Sequence, residues 1–231
     1  MEKSLRLLCE AISYKFNDID LLKEAMTHKS YAVEYNLKYD NQRLEFLGDA
    51  VLELITTERL FKQFPNEQEG RMTKMRSAMV CQQAFVKIAL FLNLQDSIRV
   101  GRGELLGGGT TRNSTLCDAF EALAGAIYMD SDYKKANEVF SPLFDILFPN
   151  PDSMLEFTNP KGALQELTQS KSNTPIPKYV VENKEGPDHD CVYSVAVFLN
   201  EQKIAVGTGR SRKAAEFEAA KNALTFFRQE K

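Results

Sequence analysis

Between residues 4 and 147 the apolar side chains recur at intervals of three and four, the spacing of one face of a helix. The pattern predicts helices over Ser4–Ile12, Ile19–Met26, Glu45–Phe64, Met72–Phe91, Thr115–Tyr128 and Tyr133–Leu147. Pro149-Asn150-Pro151-Asp152-Ser153 then interrupts it, and Asn159-Pro160 resets the chain, because proline removes a helical hydrogen bond. Beyond that point the order is different. Lys161–Gln169 reads as a helix, Pro177–Asn183, Val192–Leu199 and Gln202–Gly209 alternate as strands do, and Ser211–Arg228 reads as a last helix. Leu199-Asn200-Glu201-Gln202 joins the middle strands as a hairpin. The expected organisation is an all-α domain over residues 1–150, a linker at 151–158 and a small α+β domain of order α-β-β-β-α at 159–229.

Two polar interruptions of the apolar pattern stand out. Glu45 and Asp49 are four apart, and Asp118 and Glu121 three apart, so each pair shares one side of its helix. Around the first pair, Leu44, Phe46, Leu47, Ala50, Val51, Leu52, Leu54 and Ile55 leave a narrow polar stripe of Glu45, Asp49, Glu53 and Thr56. Such a helix is expected to be mostly buried. Around the second pair, Leu116, Ala119, Phe120, Leu123, Ala124 and Ile127 form the apolar side, with Asp118 and Glu121 opposite. Carboxylates beside so much apolar surface need cations or raised pKa values. If the two helices face each other, four oxygen-bearing side chains converge as they do around Mg²⁺. The plainer alternative is two solvated faces, with Thr115 and Asp118 in a weak capping arrangement and Arg43 neutralising a neighbour.

Composition narrows the chemistry. At 231 residues, 43% apolar and 26% charged, the chain is large enough for two compact units. No apolar run is long enough for a bilayer, Met1-Glu2-Lys3-Ser4 lacks a signal-peptide pattern, and no membrane association is expected. Cys9, Cys81, Cys117 and Cys191 have neither zinc-site nor disulfide spacing, which fits a reduced, cytoplasmic setting. His28 and His189 are the only histidines, leaving little for a Ser/His/Asp mechanism, and Cys117 reads as a packing residue. The net charge of −3 is unevenly divided. Residues 1–158 hold 18 Lys and Arg against 23 Asp and Glu, whereas residues 159–231 hold 11 against 9. The acid lies with the paired carboxylates and the basic excess with the second unit, where phosphate contacts would sit.

Arg43-Leu44-Glu45-Phe46-Leu47-Gly48-Asp49-Ala50-Val51-Leu52 resembles the signature of ribonuclease III, the family that cuts double-stranded RNA. Further stretches resemble that family in the same order: Thr27-His28-Lys29-Ser30, Glu69 to Arg76, Gly101-Arg102-Gly103-Glu104, Gly108-Gly109 and Asp118 to Tyr128. The resemblance implies that Glu45, Asp49, Asp118 and Glu121 hold Mg²⁺, for which Mn²⁺ substitutes, with Asp49 and Glu121 as catalytic residues and no small-molecule cofactor. It also implies a homodimer whose two sites each cut one strand, leaving 5′-phosphate and 3′-hydroxyl ends with short 3′ overhangs. Ribosomal RNA precursors and structured messenger RNAs are the substrates it suggests. Gln42 stands where many relatives have Glu and is read as an outer contact near the site, and Glu69 as an auxiliary acidic residue. Thr110-Thr111 replace residues often charged in relatives, so the glycines of residues 101–111 could form an RNA-contacting loop or simply a long turn.

The α-β-β-β-α unit resembles a double-stranded RNA-binding domain. By that resemblance Gln165 and Glu166 on its first helix touch one minor groove, Gly186-Pro187-Asp188-His189 enters the next through His189, and Ser211-Arg212-Lys213 grips phosphates across the major groove. The last role also follows from helix electrostatics. Cations in a first turn oppose the dipole by about 0.3 to 1 kcal/mol, while the free amides there suit a phosphate. Pairing of Arg212 with Glu216 at i,i+4 is the alternative. A non-catalytic RNA-binding component is the other class of function that this resemblance admits, and the four retained carboxylates argue against it.

Overall fold

The computed structural model describes residues 2–169, 176–187 and 190–229. The chain divides into two compact units, Met1–Pro149 and Asn150–Lys231. The first unit is helical among its described residues: α1 (Glu2–Ala11), α2 (Ile19–Ala25), α3 (Lys29–Glu34), α4 (Gln42–Gln63), α5 (Glu69–Met79), α6 (Gln82–Phe91), α7 (Arg102–Leu106), α8 (Asn113–Asp130) and α9 (Tyr133–Leu147), with short 3₁₀ turns at Leu94–Asp96 and Gly109–Thr111.

Helix α8 is the centre of this unit. Leu116, Ala119, Phe120, Leu123, Ala124 and Ile127 are all buried, as their periodicity predicts. Phe120 packs on Phe85 of α6 and edge-on against Phe140 of α9, with ring centroids 5.3 and 5.6 Å apart. Thr115, offered above as a cap, is instead buried inside the helix, which begins two residues earlier.

Helix α4 departs from its expected burial. Leu44, Val51, Leu52 and Ile55 face the core, but Phe46, Leu54 and Phe61 are 84%, 54% and 70% exposed. Thr56, expected on the polar stripe, is buried with its hydroxyl unpartnered. An apolar helix thus presents a second, uncovered face.

The helix expected over residues 72–91 is two helices. Cys81 is extended (φ −82°, ψ 158°) and its carbonyl accepts from Ala84 and Phe85 as α6 begins. Apolar periodicity runs straight through this joint, so the pattern alone cannot register it. Helix α3 is only six residues long, and the side chain of His28 caps it by accepting from the Ser30 amide at 3.2 Å.

In the second unit, residues 151–158, expected as a linker, form helix α10 (Pro151–Thr158). Proline breaks a helix interior but suits the first helical position, where no amide partner is needed. The same logic starts α11 (Pro160–Gln169), whose Gly162 amide is accepted by Asn159 Oδ1 at 3.1 Å. Strands β1 (Lys178–Glu185), β2 (Val192–Leu199) and β3 (Gln202–Gly209) form an antiparallel sheet in that order, with Val180 opposite Ala196 and Val195 opposite Gly207. Asn200 and Glu201 both take left-handed backbone (φ 52° and 54°), the geometry of the tight hairpin expected there. Helix α12 (Arg212–Gln229) closes the unit over an apolar cluster of Leu164, Val197, Ala219, Ala220, Ala223 and Leu224.

Candidate active site and RNA-contacting face

Helices α4 and α8 touch backbone to backbone. A Cβ built on Gly48 would lie 1.7 Å from the carbonyl oxygen of Glu121, and one on Gly125 would lie 2.2 Å from that of Leu44. Only glycine permits such an approach. Because Gly48 sits between Glu45 and Asp49, and its contact is Glu121 itself, this crossing turns both carboxylate pairs toward each other.

Their electrostatics record the meeting. Burial first, then the charge of Asp118, raises the pKa of Glu45. Burial, followed by Asp49 and, more weakly, Glu45 and Asp118, pushes Glu121 up to about 7. Asp118 is also raised by burial, with His28 acting in the opposite direction. Across the helix contact the main charge partners are therefore Glu45 with Asp118 and Asp49 with Glu121.

The thiol of Cys117 completes the local set. Cys117 Sγ donates to Glu121 Oε1 at 3.5 Å, and among the described residues the ligand atoms of Cys117, Asp118 and Glu121 lie within 4.8 Å of one another. Glu45 and Asp49 do not fall inside that tight group. Burial drives the Cys117 thiol pKa far upward, which keeps it protonated. A hard cation prefers the carboxylate oxygens, so Cys117 packs beside the acidic group, as its sequence context predicts.

Beside Glu45 and Asp118 opens a pocket of ≈ 300 Å³, also lined by His28, Lys29, Ser30, Asn41 and Gln42. It is held in place by the backbone: Arg99 donates to the Met26 carbonyl, and the amides of His28 and Asn41 donate to the carbonyls of Arg99 and Thr27. Gln42 thus lies next to the carboxylates, its backbone N–H donating to Asp40 Oδ1 at 3.0 Å. His28, Lys29 and Asn41 were not singled out from the sequence as site residues. The signal for His28 and Lys29 is the short Thr27-His28-Lys29-Ser30 motif, which has no periodicity to place it in space, and Asn41 carries no such signal. Glu69 goes elsewhere within this chain, to a groove lined by Thr57, Leu60, Phe61, Met72 and Arg76, where it accepts from Thr73 Oγ1 at 2.8 Å.

On the second unit, Gln165 and Glu166 are exposed on α11. His189 lies outside the described residues. Ser211 Oγ caps α12 by accepting from the Ala214 amide at 3.1 Å. Arg212 and Lys213 behave differently. Arg212 Nε meets Glu216 Oε1 at 2.9 Å, while Lys213 is exposed and has no ion-pair partner among the described residues.

A helical unit with a carboxylate-lined crossing, joined to an α-β-β-β-α unit with a basic helix start, defines a class: a nuclease-type domain carrying a duplex-RNA-binding domain. Residues 18–145 match the Ribonuclease-III-like family, and residues 160–226 match the double-stranded RNA binding motif. A ribonuclease 3 from Nitratiruptor sp. is 42% identical over 222 residues, covering 96% of both chains. One from Enterococcus faecalis is 42% identical over 221 residues, covering 94% of both. A structure of the nuclease domain of ribonuclease III from Campylobacter jejuni, described for flexibility in a region involved in dimer formation, shares 41% identity at a TM-score of 0.59 and covers 62% of this chain and 98% of its own. The chain belongs to the ribonuclease III family and is an endoribonuclease of double-stranded RNA. Among the described residues no helix is long and apolar enough to cross a membrane.

Proposed function

We propose that the chain cuts duplex RNA by Mg²⁺-dependent phosphodiester hydrolysis at the α4–α8 crossing, leaving 5′-phosphate and 3′-hydroxyl ends with short 3′ overhangs. The observation carrying this reading is the close approach at Gly48, which gathers Glu45, Asp49, Asp118 and Glu121 from two helices. The donor set fits a hard divalent cation, because it is made of carboxylates, three of which, Glu45, Asp118 and Glu121, burial leaves unfavourably charged without one. These four residues would hold Mg²⁺, and the chemistry it would supply there is activation of a water and stabilisation of the leaving oxygen. Asp49 and Glu121 would act as the catalytic ligands, Glu45 and Asp118 would also hold the cation, and Gln42 would orient solvent at the pocket mouth. Lys29 in the same pocket offers a cation to a substrate phosphate. Ribosomal RNA precursors and structured messenger RNAs are the natural substrates, and Mn²⁺ replaces Mg²⁺. Incubation of a long RNA duplex with the protein is expected to give cutting with Mg²⁺, and binding alone with Ca²⁺ or a chelator. An intact duplex under every condition would sink this reading.

The working form is a homodimer with one strand cut at each site. Its support is the uncovered stripe of α4, where Phe46, Ala50, Leu54 and Phe61 recur on one side of the helix and point away from the core. An exposed apolar stripe of this kind is a surface for association. Phe46→Asp is expected to shift the protein from dimer to monomer in sedimentation, and an unchanged sedimentation coefficient would place the interface elsewhere.

Gln165, Glu166, His189, Ser211, Arg212 and Lys213 form the duplex-contacting set. Since Glu216 already holds Arg212, Lys213 carries the freer charge. Lys213→Ala is expected to lower the slope of log affinity against log salt by about 1, and Arg212→Ala by less. Equal slopes for both variants and the parent would contradict the phosphate role.

A further inference from the structure

Glu216 is the one charged residue that is buried among the described residues, at 8% exposure. Its two carboxylate oxygens face different helices. Oε1 accepts from Arg212 Nε in the first turn of α12 at 2.9 Å, and Oε2 accepts from Lys161 Nζ in the first turn of α11 at 2.6 Å. Lys161 Nζ also lies 4.5 Å from the ring centre of Tyr179 on β1, a cation–π distance. These two cations hold the Glu216 carboxyl below the usual carboxylate range, Lys161 more strongly than Arg212.

Such a cluster is poorly explained by stability. Replacing buried ion pairs with apolar residues of similar volume is often neutral or stabilising, and the better-attested use of a buried charge is to fix geometry. The apolar cluster between the helices includes Leu164 on α11 and Ala219, Ala220 and Ala223 on α12. Arg212 stands seven residues before Ala219, about two helical turns or roughly 10 Å along the axis. Glu216 therefore ties Lys161 at the start of α11 to Arg212 at the start of α12; Gln165 stands one helical turn beyond Lys161, and Ser211 and Lys213 flank Arg212.

We propose that Glu216 is a positioning residue for duplex binding: by holding Lys161 and Arg212 together it makes α11 and the start of α12 one rigid, two-point RNA contact. This rests on the reading above that Gln165 and Glu166 of α11 and the start of α12 touch RNA. One helix meets a minor groove and the other the neighbouring major-groove phosphates, so their separation must match the A-form duplex. When that separation is fixed beforehand, the first contact places the second without further ordering cost.

The test is a double-mutant cycle in the full chain, with chelator present to prevent cleavage, on an RNA duplex of about 20 base pairs, longer than the roughly 16 such a domain spans. Gln165→Ala removes the α11 contact and Lys213→Ala the α12 contact. With Glu216 intact, the two losses are expected to be coupled by at least about five-fold, the double variant binding that much better than the product of the single losses. Combined with Glu216→Gln, the same losses are expected to multiply to within about two-fold. Coupling is read rather than bare affinity, because releasing Arg212 also adds a free positive charge. Equal coupling in both backgrounds overturns the proposal, and so does its absence when Glu216 is present. A parent chain that fails to bind duplex at all refutes the RNA-contact reading itself, a distinguishable result. Should Glu216→Gln melt below the assay temperature, Lys161→Met takes its place. That variant keeps the Arg212–Glu216 pair and the apolar stem, frees α11, and is expected to lose the coupling equally.

Discussion

Glu121→Gln is expected to abolish cutting of a long RNA duplex while leaving duplex affinity within a few-fold of the parent. The glutamine keeps the shape of the side chain and its contact with Cys117, but it removes a negative charge at the point where Asp49, Glu45 and Asp118 bear on it. Losing the hydrogen-bond partner of a metal ligand costs roughly 10–100-fold in affinity or activity. If Glu121 is the proposed ligand and catalytic group, its removal should cost more, at least about 10³-fold in the single-turnover rate. Binding should survive because the second unit carries its own RNA-contacting face, remote in sequence from the substitution. Single-turnover cleavage with Mg²⁺ and equilibrium binding with chelator separate the two effects. A fully active variant would show that the four carboxylates have been wrongly assigned.

Gly48→Ala is expected to destabilise the first unit by roughly 3–5 kcal/mol, at the severe end for a single added methyl. The new Cβ would lie 1.7 Å from the Glu121 carbonyl oxygen and 2.8 Å from the Gly125 nitrogen, both backbone atoms that cannot rotate away. Relief requires α4 and α8 to separate, which opens the core at Leu52 and Phe120 and parts the carboxylates as well. Thermal unfolding followed by circular dichroism measures the loss. Gly70→Ala is the control, since nothing lies within 4 Å of a Cβ there. If Gly48→Ala melted with the parent and cut RNA normally, the close helix contact would not be what holds the site together.

These two variants mark where periodicity stops being informative. The spacing of Glu45 with Asp49 and of Asp118 with Glu121 placed each pair on one side of a helix, and the structure agrees because helical geometry is local. Buriedness was read less well. The apolar richness of α4 suggested one continuous core contact, yet Phe46, Leu54 and Phe61 are exposed. Sequence pattern measures how apolar a face is and says nothing of whether this chain or another covers it. The joint at Cys81 and helices α3, α7 and α10 escaped for related reasons: they are short or share the apolar rhythm of their neighbours. Arg212 shows a further limit. Both of its candidate roles were visible, phosphate contact and pairing with Glu216, but the pair is no surface ornament, since Lys161 joins it and the carboxylate is buried.

The sequence by itself determined the helical first half, the α-β-β-β-α second half, the hairpin at Asn200-Glu201 and the sidedness of the two acidic pairs. All of these are set by bonds and contacts within a few residues along the chain. Only the tertiary structure decided that α4 and α8 meet at Gly48 and Gly125, that His28, Lys29 and Asn41 border the carboxylates, that Glu69 does not join them within this chain, and that Glu216 bridges two helices. Those facts depend on which faces meet across long stretches of intervening chain. Packing, exclusion of a side chain and pairing of buried charge choose the meeting, and none of them has a period that a linear pattern can display.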